Sequence, residues 1–312
     1  MIILKRGIPS KLRVLESLLR RGQLNEDQKQ LFENQLWRVE IGYIGECRAD
    51  EFWEDLAWSE PHFLFHDYET VNSRGYSHQI DSIFLNQNFV FITELKHISG
   101  ILQFDQQTHQ FTRMKKDGQL ESFLNPFDQV ERHQAYIQSI VWKVGLELPV
   151  ISGVIITQQS AVIQNVPQDA LIFQLSGLSS KMKQLKKHFP TKISVEQLTL
   201  LKEELLHQHC SKIRRPMIEN IPIQKGALCK NGHVMQYAQG KFKCSCGEKS
   251  RHALIEGLHD YKLLIQPTIT NAQFRDFFSI PSIHAASKIL KRLDLPYQGE
   301  FKNRVYTIPD DL

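Results

Sequence analysis

The sequence predicts a mixed α/β domain, a central sheet flanked by helices, followed by a small cysteine-bearing unit and a helical C-terminal module. Three observations carry this. In HQIDSIFLNQNFVFITELKH, residues 78–97, two strongly apolar runs flank a polar turn, and strands apolar on both faces belong in the middle of a covered sheet. Strand-like and helix-like segments follow one another up to about residue 190, as in a mixed sheet with helices packed on it. Beyond residue 225, three cysteines and a histidine crowd into a short basic stretch, and two amphipathic helical segments come after.

Composition narrows the class. With 312 residues, 41% hydrophobic and 23% charged, the chain reads as a soluble globular protein long enough for more than one domain. No apolar run approaches the roughly 18–20 residues that cross a bilayer. The N-terminal MIILKRGIPSKLRVLESLLRRG reaches a charge almost at once and has no small-residue cleavage site, unlike a secretory signal. A cytoplasmic protein with no membrane partner is therefore expected. The net charge of +4 barely favours a polyanion by itself. Basic clusters gather late, however, in KMKQLKKHF, SKIRRP, KFKC and SKILKRL. Each alone fits a solvated face; together they point to nucleic acid. Five cysteines in a cytoplasmic chain do not suggest disulfides, and the isolated Cys47 and Cys210 read as packing residues.

The elements follow in order. Pro9 and Ser10 open a helical stretch with Leu12, Leu15, Leu18 and Leu19 at helical spacing, and a second polar-rich segment runs through Leu31, Leu36 and Val39. In GECRADEFWEDLAW, Ala49, Phe52, Trp53 and Leu56 form one apolar stripe, with Glu46 on it one turn earlier. HFLFHDYE reads as a strand, then the 78–97 hairpin, with Ile80, Phe84, Phe89, Phe91 and Leu95 on one face and Ile83, Leu85, Val90 and Ile92 on the other. Short strands with a turn at Asp117-Gly118 come next. A helix then begins at NPFDQVERH, with Asn125 as cap, Pro126 in first position and Asp128 in the first turn. PVISGVIIT is the last apolar strand expected. The expected organisation is a helical segment over 1–34, the α/β domain over 35–190, a helical connector over 191–225, the cysteine unit over 226–265 and the C-terminal module over 266–312.

Charges inside the hairpin carry the chemistry. A buried charge costs several kcal/mol or so unless paired or holding a metal, yet Asp81, Glu94 and Lys96 lie within these apolar runs. If the turn centres on Gln87 and Asn88 with an even loop, Asp81 lies opposite Glu94, and Lys96 follows roughly 7 Å along the same face. Two carboxylates can hold a hard cation such as Mg²⁺ or Mn²⁺. Such a cation polarises a phosphate oxygen and activates water, while the lysine offsets transition-state charge. Those parts hydrolyse a phosphodiester. The same three residues also fit an ion pair that closes the end of the sheet; Glu46 on the neighbouring helix adds negative charge and favours the cation.

GYIGE, HQIDSIFL, VFITELKHISG and NPFDQVERH together resemble the NERD (nuclease-related) domain of the PD-(D/E)XK nuclease superfamily over residues 35–175. The resemblance implies a restriction-endonuclease-like core and a metal-dependent nuclease acting on DNA or RNA. Its site would consist of Glu46, Asp81, Glu94, Lys96 and Gln129. The dipeptide that names the superfamily is Ile80-Asp81 here. A non-catalytic nucleic-acid-binding or scaffold protein that retains the fold is the alternative.

CKNGHVMQYAQGKFKCSCGEKSRH offers Cys229-x3-His233 and Cys244-x-Cys246. Two ligand pairs on facing turns suit tetrahedral, structural Zn²⁺, as in a zinc ribbon, with Gly232 and Gly247 easing the turns. The tight C-x-C spacing leaves His252 open as the fourth ligand. In the tail, Phe274, Phe277 and Phe278 mark one apolar helix face, and Ile283, Ala286, Ile289, Leu290 and Leu293 mark a second, with a break at Ile280-Pro281. Lys288, Lys291 and Arg292 lie on the exposed side of that second helix, which resembles the groove-binding helix of a winged-helix or helix-turn-helix module. A protein-contact role fits that module equally well.

Overall fold

The structure, a computed structural model, describes every residue except 106, 211–220, 239, 251, 310 and 311, and the side chain of Lys302. The first part of the chain forms β1 (Ile2–Leu4), α1 (Ser10–Arg21), α2 (Glu26–Glu54), β2 (His62–Val71), β3 (Ser77–Asn86), β4 (Val90–Lys96), β5 (Gly100–Asp105), β6 (Gln110–Met114), β7 (Leu120–Phe123), α3 (Pro126–Lys143), β8 (Val150–Ile156), β9 (Ala161–Gln164), β10 (Ile172–Gln174), α4 (Leu178–His188) and α5 (Val195–Gln208). The rest forms β11 (Ala227–Leu228), β12 (Val234–Ala238), β13 (Lys241–Lys243), β14 (Lys249–Ser250), α6 (His252–Leu264), β15 (Thr268–Thr270), α7 (Asn271–Phe278), α8 (Ile283–Arg292), β16 (Tyr297–Gln298) and β17 (Val305–Thr307). Two compact units result, residues 1–8 with 40–212 and residues 9–39 with 213–312.

The first unit is mixed α/β. Its six-stranded sheet runs β1-β2-β3-β4-β8-β10, antiparallel through β2, β3 and β4 and parallel at β1/β2, β4/β8 and β8/β10. Helices cover both faces. On one, Ile83, Leu85, Val90 and Ile92 pack with Ile137 and Val141 of α3 and with Leu198, Leu201 and Leu205 of α5. On the other, Phe84, Phe89, Phe91 and Leu95 pack with Ala49 and Trp53 of α2 and with Leu178 and Met182 of α4. Double coverage explains why β3 and β4 are apolar at nearly every position. A second sheet, β7-β6-β5-β9, packs through Leu102, Phe104 and Phe111 with Phe127 and Val130 of α3.

In the second unit, Leu15, Leu18 and Phe32 pack together with Leu36 and Val39 around them. Asp260 on α6 is buried and accepts from Ser17 Oγ at 2.7 Å and Arg21 Nε at 2.6 Å, and it also pairs with Arg20. Arg21, equally buried, donates onward to the carbonyls of Gln224 and Gly226. The C-terminal elements run helix, strand, helix, helix, strand, strand from α6 to β17, and the three strands pair in the order β15-β17-β16.

Several expectations change. Ile2–Leu4 is a strand at the sheet edge, because even three apolar residues gain a ladder partner there; it lies inside the segment expected to be helical. The two helical segments expected around residue 40 are one 29-residue helix, α2. Neither Gly42 nor Gly45 breaks it. Phe52 and Ile283 are exposed, 37% and 56%, so periodicity overstated both apolar faces. Strands β9 and β10 follow PVISGVIIT, and α5, expected in a connector, packs on the main sheet. SKIRRP and Pro216 lie outside the described residues.

Candidate functional site

The hairpin sets the site. Strands β3 and β4 pair Ser82 with Thr93, Ile83 with Ile92, Phe84 with Phe91 and Leu85 with Val90. Asn86 closes the turn: its N–H donates to the Phe89 carbonyl at 3.2 Å, and its Oδ1 accepts from the Asn88 and Phe89 amides at 2.8 Å each. The ladder ends at the Ser82–Thr93 pair, one residue short of Asp81 and Glu94. There Asp81 Oδ2 accepts from the Leu95 amide at 2.7 Å, so a side chain takes up a strand donor. On the other side of β3, Asp67 has a left-handed φ of 53° and accepts from Gln79 Nε2 at 2.7 Å. This residue breaks the two-residue alternation. Phe65 and Tyr68, three apart, therefore share a core, and so do Ile80 and Ile83. Ile80 thus packs opposite the face expected for it.

Glu94, Lys96 and Gln129 meet directly. Glu94 is 4% exposed; its Oε1 accepts from Lys96 Nζ at 2.5 Å and its Oε2 from Gln129 Nε2 at 2.8 Å. Gln129 reaches it from the first turn of α3, whose start is fixed by Asn125 Oδ1 accepting from the Phe127 amide at 3.0 Å. Glu46 and Asp81 are joined through Arg6. The Arg6 guanidinium donates to Glu46 Oε2 at 2.7 Å, to Asp50 Oδ2 at 2.8 Å and to the Asp81 carbonyl at 2.7 Å. Asp50 also accepts from His66 Nδ1 at 3.0 Å.

The electrostatics fit a site short of positive charge. Burial, and then the charge of Asp81, push Glu94 up to about 8 against the pull of Lys96. Burial and Asp81 push Glu46 up to about 7 against Arg6. Burial also raises Asp81, opposed by Arg6, the Leu95 amide and Lys96. A divalent cation would allow all three to ionise together. The donor chemistry, carboxylate oxygens with no sulfur, fits Mg²⁺ or Mn²⁺.

Four neighbours went unseen in the sequence: Arg6, Asp50, His66 and Asp67. A fifth feature is Gly45, where a Cβ would lie 2.5 Å from His97 Cβ and Nδ1. His97 follows Lys96 directly and is held by Thr157 Oγ1 at 2.9 Å. GYIGE therefore carries a glycine for clearance beside the carboxylate helix position.

A second centre lies in the other unit. Among the described residues, Cys229, His233, Cys244 and Cys246 are the group of three or more possible ligands whose donor atoms all lie within 4.8 Å of one another. Glu46, Asp81 and Glu94 are not such a group. Two similar turns build the sulfur centre. Gly232 N–H donates to the Cys229 carbonyl and Gly247 N–H to the Cys244 carbonyl, at 2.8 and 3.0 Å, with left-handed φ of 79° and 89° at the glycines. Cys246 Sγ lies 3.9 Å from Cys229 Sγ, and Cys244 Sγ lies 3.8 Å from His233 Nδ1. Tetrahedral ligands at Zn–S of about 2.3 Å sit roughly 3.8 Å apart, so the spacing suits zinc. The Cys246 amide and thiol hold the Cys244 thiol down to about 6, toward the thiolate that binds metal. His252 opens α6, is exposed and stands outside the group. The cluster and its short strands fit a zinc ribbon. Lys288, Lys291 and Arg292 are all exposed on α8.

No curated protein and no solved structure matches the chain. Among the described residues no helix is long and apolar enough to cross a membrane. Glu46, Asp81, Glu94, Lys96 and Gln129 all fall within residues 41–157, and that stretch matches the model of the NERD family, the nuclease-related domain, which suggests a nuclease-related function for the unit that holds them.

Proposed function

We propose that the α/β unit, with a restriction-endonuclease-like core, is a metal-dependent nuclease that hydrolyses phosphodiester bonds in DNA or RNA. The observation that carries this is the buried Glu94 bracketed by Lys96 and Gln129, with Asp81 beside it and Glu46 linked through Arg6. Asp81 and Glu94 would hold Mg²⁺ or Mn²⁺, which supplies a polarised phosphate oxygen and an activated water. Gln129 keeps Glu94 oriented by donating to Oε2. Lys96 Nζ, which donates to Glu94 Oε1, would stabilise negative charge on the phosphoryl oxygens. Arg6 is a positioning residue that fixes Glu46 and the Asp81 backbone. Cys229, His233, Cys244 and Cys246 hold a structural Zn²⁺, since four protein ligands leave no open position. The module from α6 to β17 is winged-helix-like, with Lys288, Lys291 and Arg292 contacting nucleic acid, and the protein acts in the cytoplasm.

The test is incubation of purified protein with plasmid, single-stranded DNA and RNA in Mg²⁺ or Mn²⁺. Cleavage is expected, abolished by chelator and by Asp81→Asn or Lys96→Ala. Cleavage that survives both substitutions places the activity elsewhere. A second reading, nucleic-acid binding without turnover, has its own support: Lys96 and Gln129 already satisfy both Glu94 oxygens. It expects salt-sensitive binding and no metal-dependent products.

A further inference from the structure

We propose that a groove in the second unit takes one unpaired base of a single-stranded nucleic acid, with the flanking phosphates on Lys241, Lys249 and Arg292. This rests on reading the protein as one that handles nucleic acid, and it names the form of strand that is held. The groove encloses about 490 Å³ between the ribbon strands β12–β14 and helices α6 and α8. Its floor is apolar, with Leu254, Ile255 and Ile289 from the two helices and Tyr237 from β12. Tyr237 pairs with Phe242 across the hairpin, ring centroids 5.3 Å apart, which fixes its orientation while it stays partly exposed.

The lining decides the ligand. Lys241, Lys249 and Arg292 are all exposed at the groove. No carboxylate lines it among the described residues. A flat apolar body carrying negative charge on either side satisfies both features, and a nucleotide within a strand is such a body. A duplex keeps its bases paired and stacked, so it must first extrude one. Arg292 lies one turn beyond Lys288 on α8, so the exposed basic side of that helix continues from the groove mouth and offers the strand a path.

The experiment uses the full, zinc-loaded chain carrying Glu94→Gln, without added divalent ion, and reads fluorescence anisotropy of a labelled 12-mer. The single strand is expected to bind at least tenfold tighter than the blunt duplex of the same sequence. Tyr237→Ala should weaken single-strand binding by about tenfold and leave unchanged the weak binding of an abasic chain of equal length. Lys241→Glu with Lys249→Glu, both at exposed positions outside the core, should weaken binding and flatten the salt dependence by about 0.7 per lost phosphate contact. Lys183→Glu with Lys187→Glu on α4 is the control. Equal duplex binding overturns the proposal, as does equal loss from the α4 pair, or a Tyr237→Ala effect that is the same with and without bases while the melting temperature holds. Cleavage is read separately on the wild-type chain. Metal-dependent cleavage without groove binding removes this proposal alone; groove binding without cleavage removes the nuclease reading and leaves this one standing.

Discussion

Binding of Mg²⁺ or Mn²⁺ in the first unit should expel protons at neutral pH. Glu94 is pushed up to about 8 and Glu46 to about 7 by burial and by Asp81. At pH 7 the first is about nine-tenths protonated and the second about half. A hard cation takes only ionised carboxylates. Filling the site at pH 7 therefore releases on the order of one proton, and somewhat more if Glu46 also turns to the cation. At pH 9 both groups are already ionised, so release falls to about a tenth of a proton and affinity rises. Calorimetric titration in buffers of different ionisation enthalpy reads the proton count directly, and Glu94→Gln should remove most of it. The same shifts set the pH dependence of stability. Both pKa values are higher in the folded chain than in the unfolded one, so the folded state binds the proton more tightly, and the stability these groups contribute falls as pH rises from about 4.5 to about 8. The melting temperature of the first unit should drop over that window and recover on adding metal. Metal heats that do not depend on the buffer at pH 7, together with a melting temperature indifferent to metal, would refute the reasoning.

Three further outcomes are expected. Gly45→Ala gains about 1 kcal/mol of helix propensity, but its Cβ meets His97 at 2.5 Å and overpacking costs about 1–3 kcal/mol; the melting temperature should fall, and phosphodiester turnover with it as His97 is displaced. Asp260→Asn leaves buried Arg21 without its counter-charge and should destabilise the second unit by about 3–5 kcal/mol in denaturant titration. Elemental analysis should find about one zinc per chain, and Cys244→Ser or chelation should open the 227–250 segment to protease, since so small a unit depends on its metal.

The hairpin was legible because one polar turn between two apolar runs allows few registers, and Asn86 closes the one that pairs Ser82 with Thr93. The start of α3 was legible from its Asn125 cap, and Gln129 entered the site only through the resemblance. Arg6 was not: it stands 40 residues from Glu46 and 75 from Asp81, and only a three-residue strand positions it. The placement of Ile80 failed because the left-handed turn of the strand at Asp67 leaves no mark in a hydrophobic pattern. GYIGE was legible only as a motif, whereas Gly45 is demanded by the side chain of His97, far along the chain. Such long-range causes are invisible to local periodicity. The four-ligand cluster was readable from spacing, yet choosing Cys246 over His252 needed the fold to show that α6 starts at His252.

The Arg6 contacts bear on how the protein is handled at the bench. The first unit is discontinuous, and the stretch that matches the nuclease-related family begins at residue 41. An expression fragment trimmed to that match would discard Arg6, the edge strand β1, and β9, β10, α4 and α5, leaving Glu46 and Asp50 without their shared guanidinium and each side of the main sheet covered by one helix fewer. Cloning boundaries drawn from similarity alone would therefore cut through a folded unit that needs residues 1–8 and 158–212 as well.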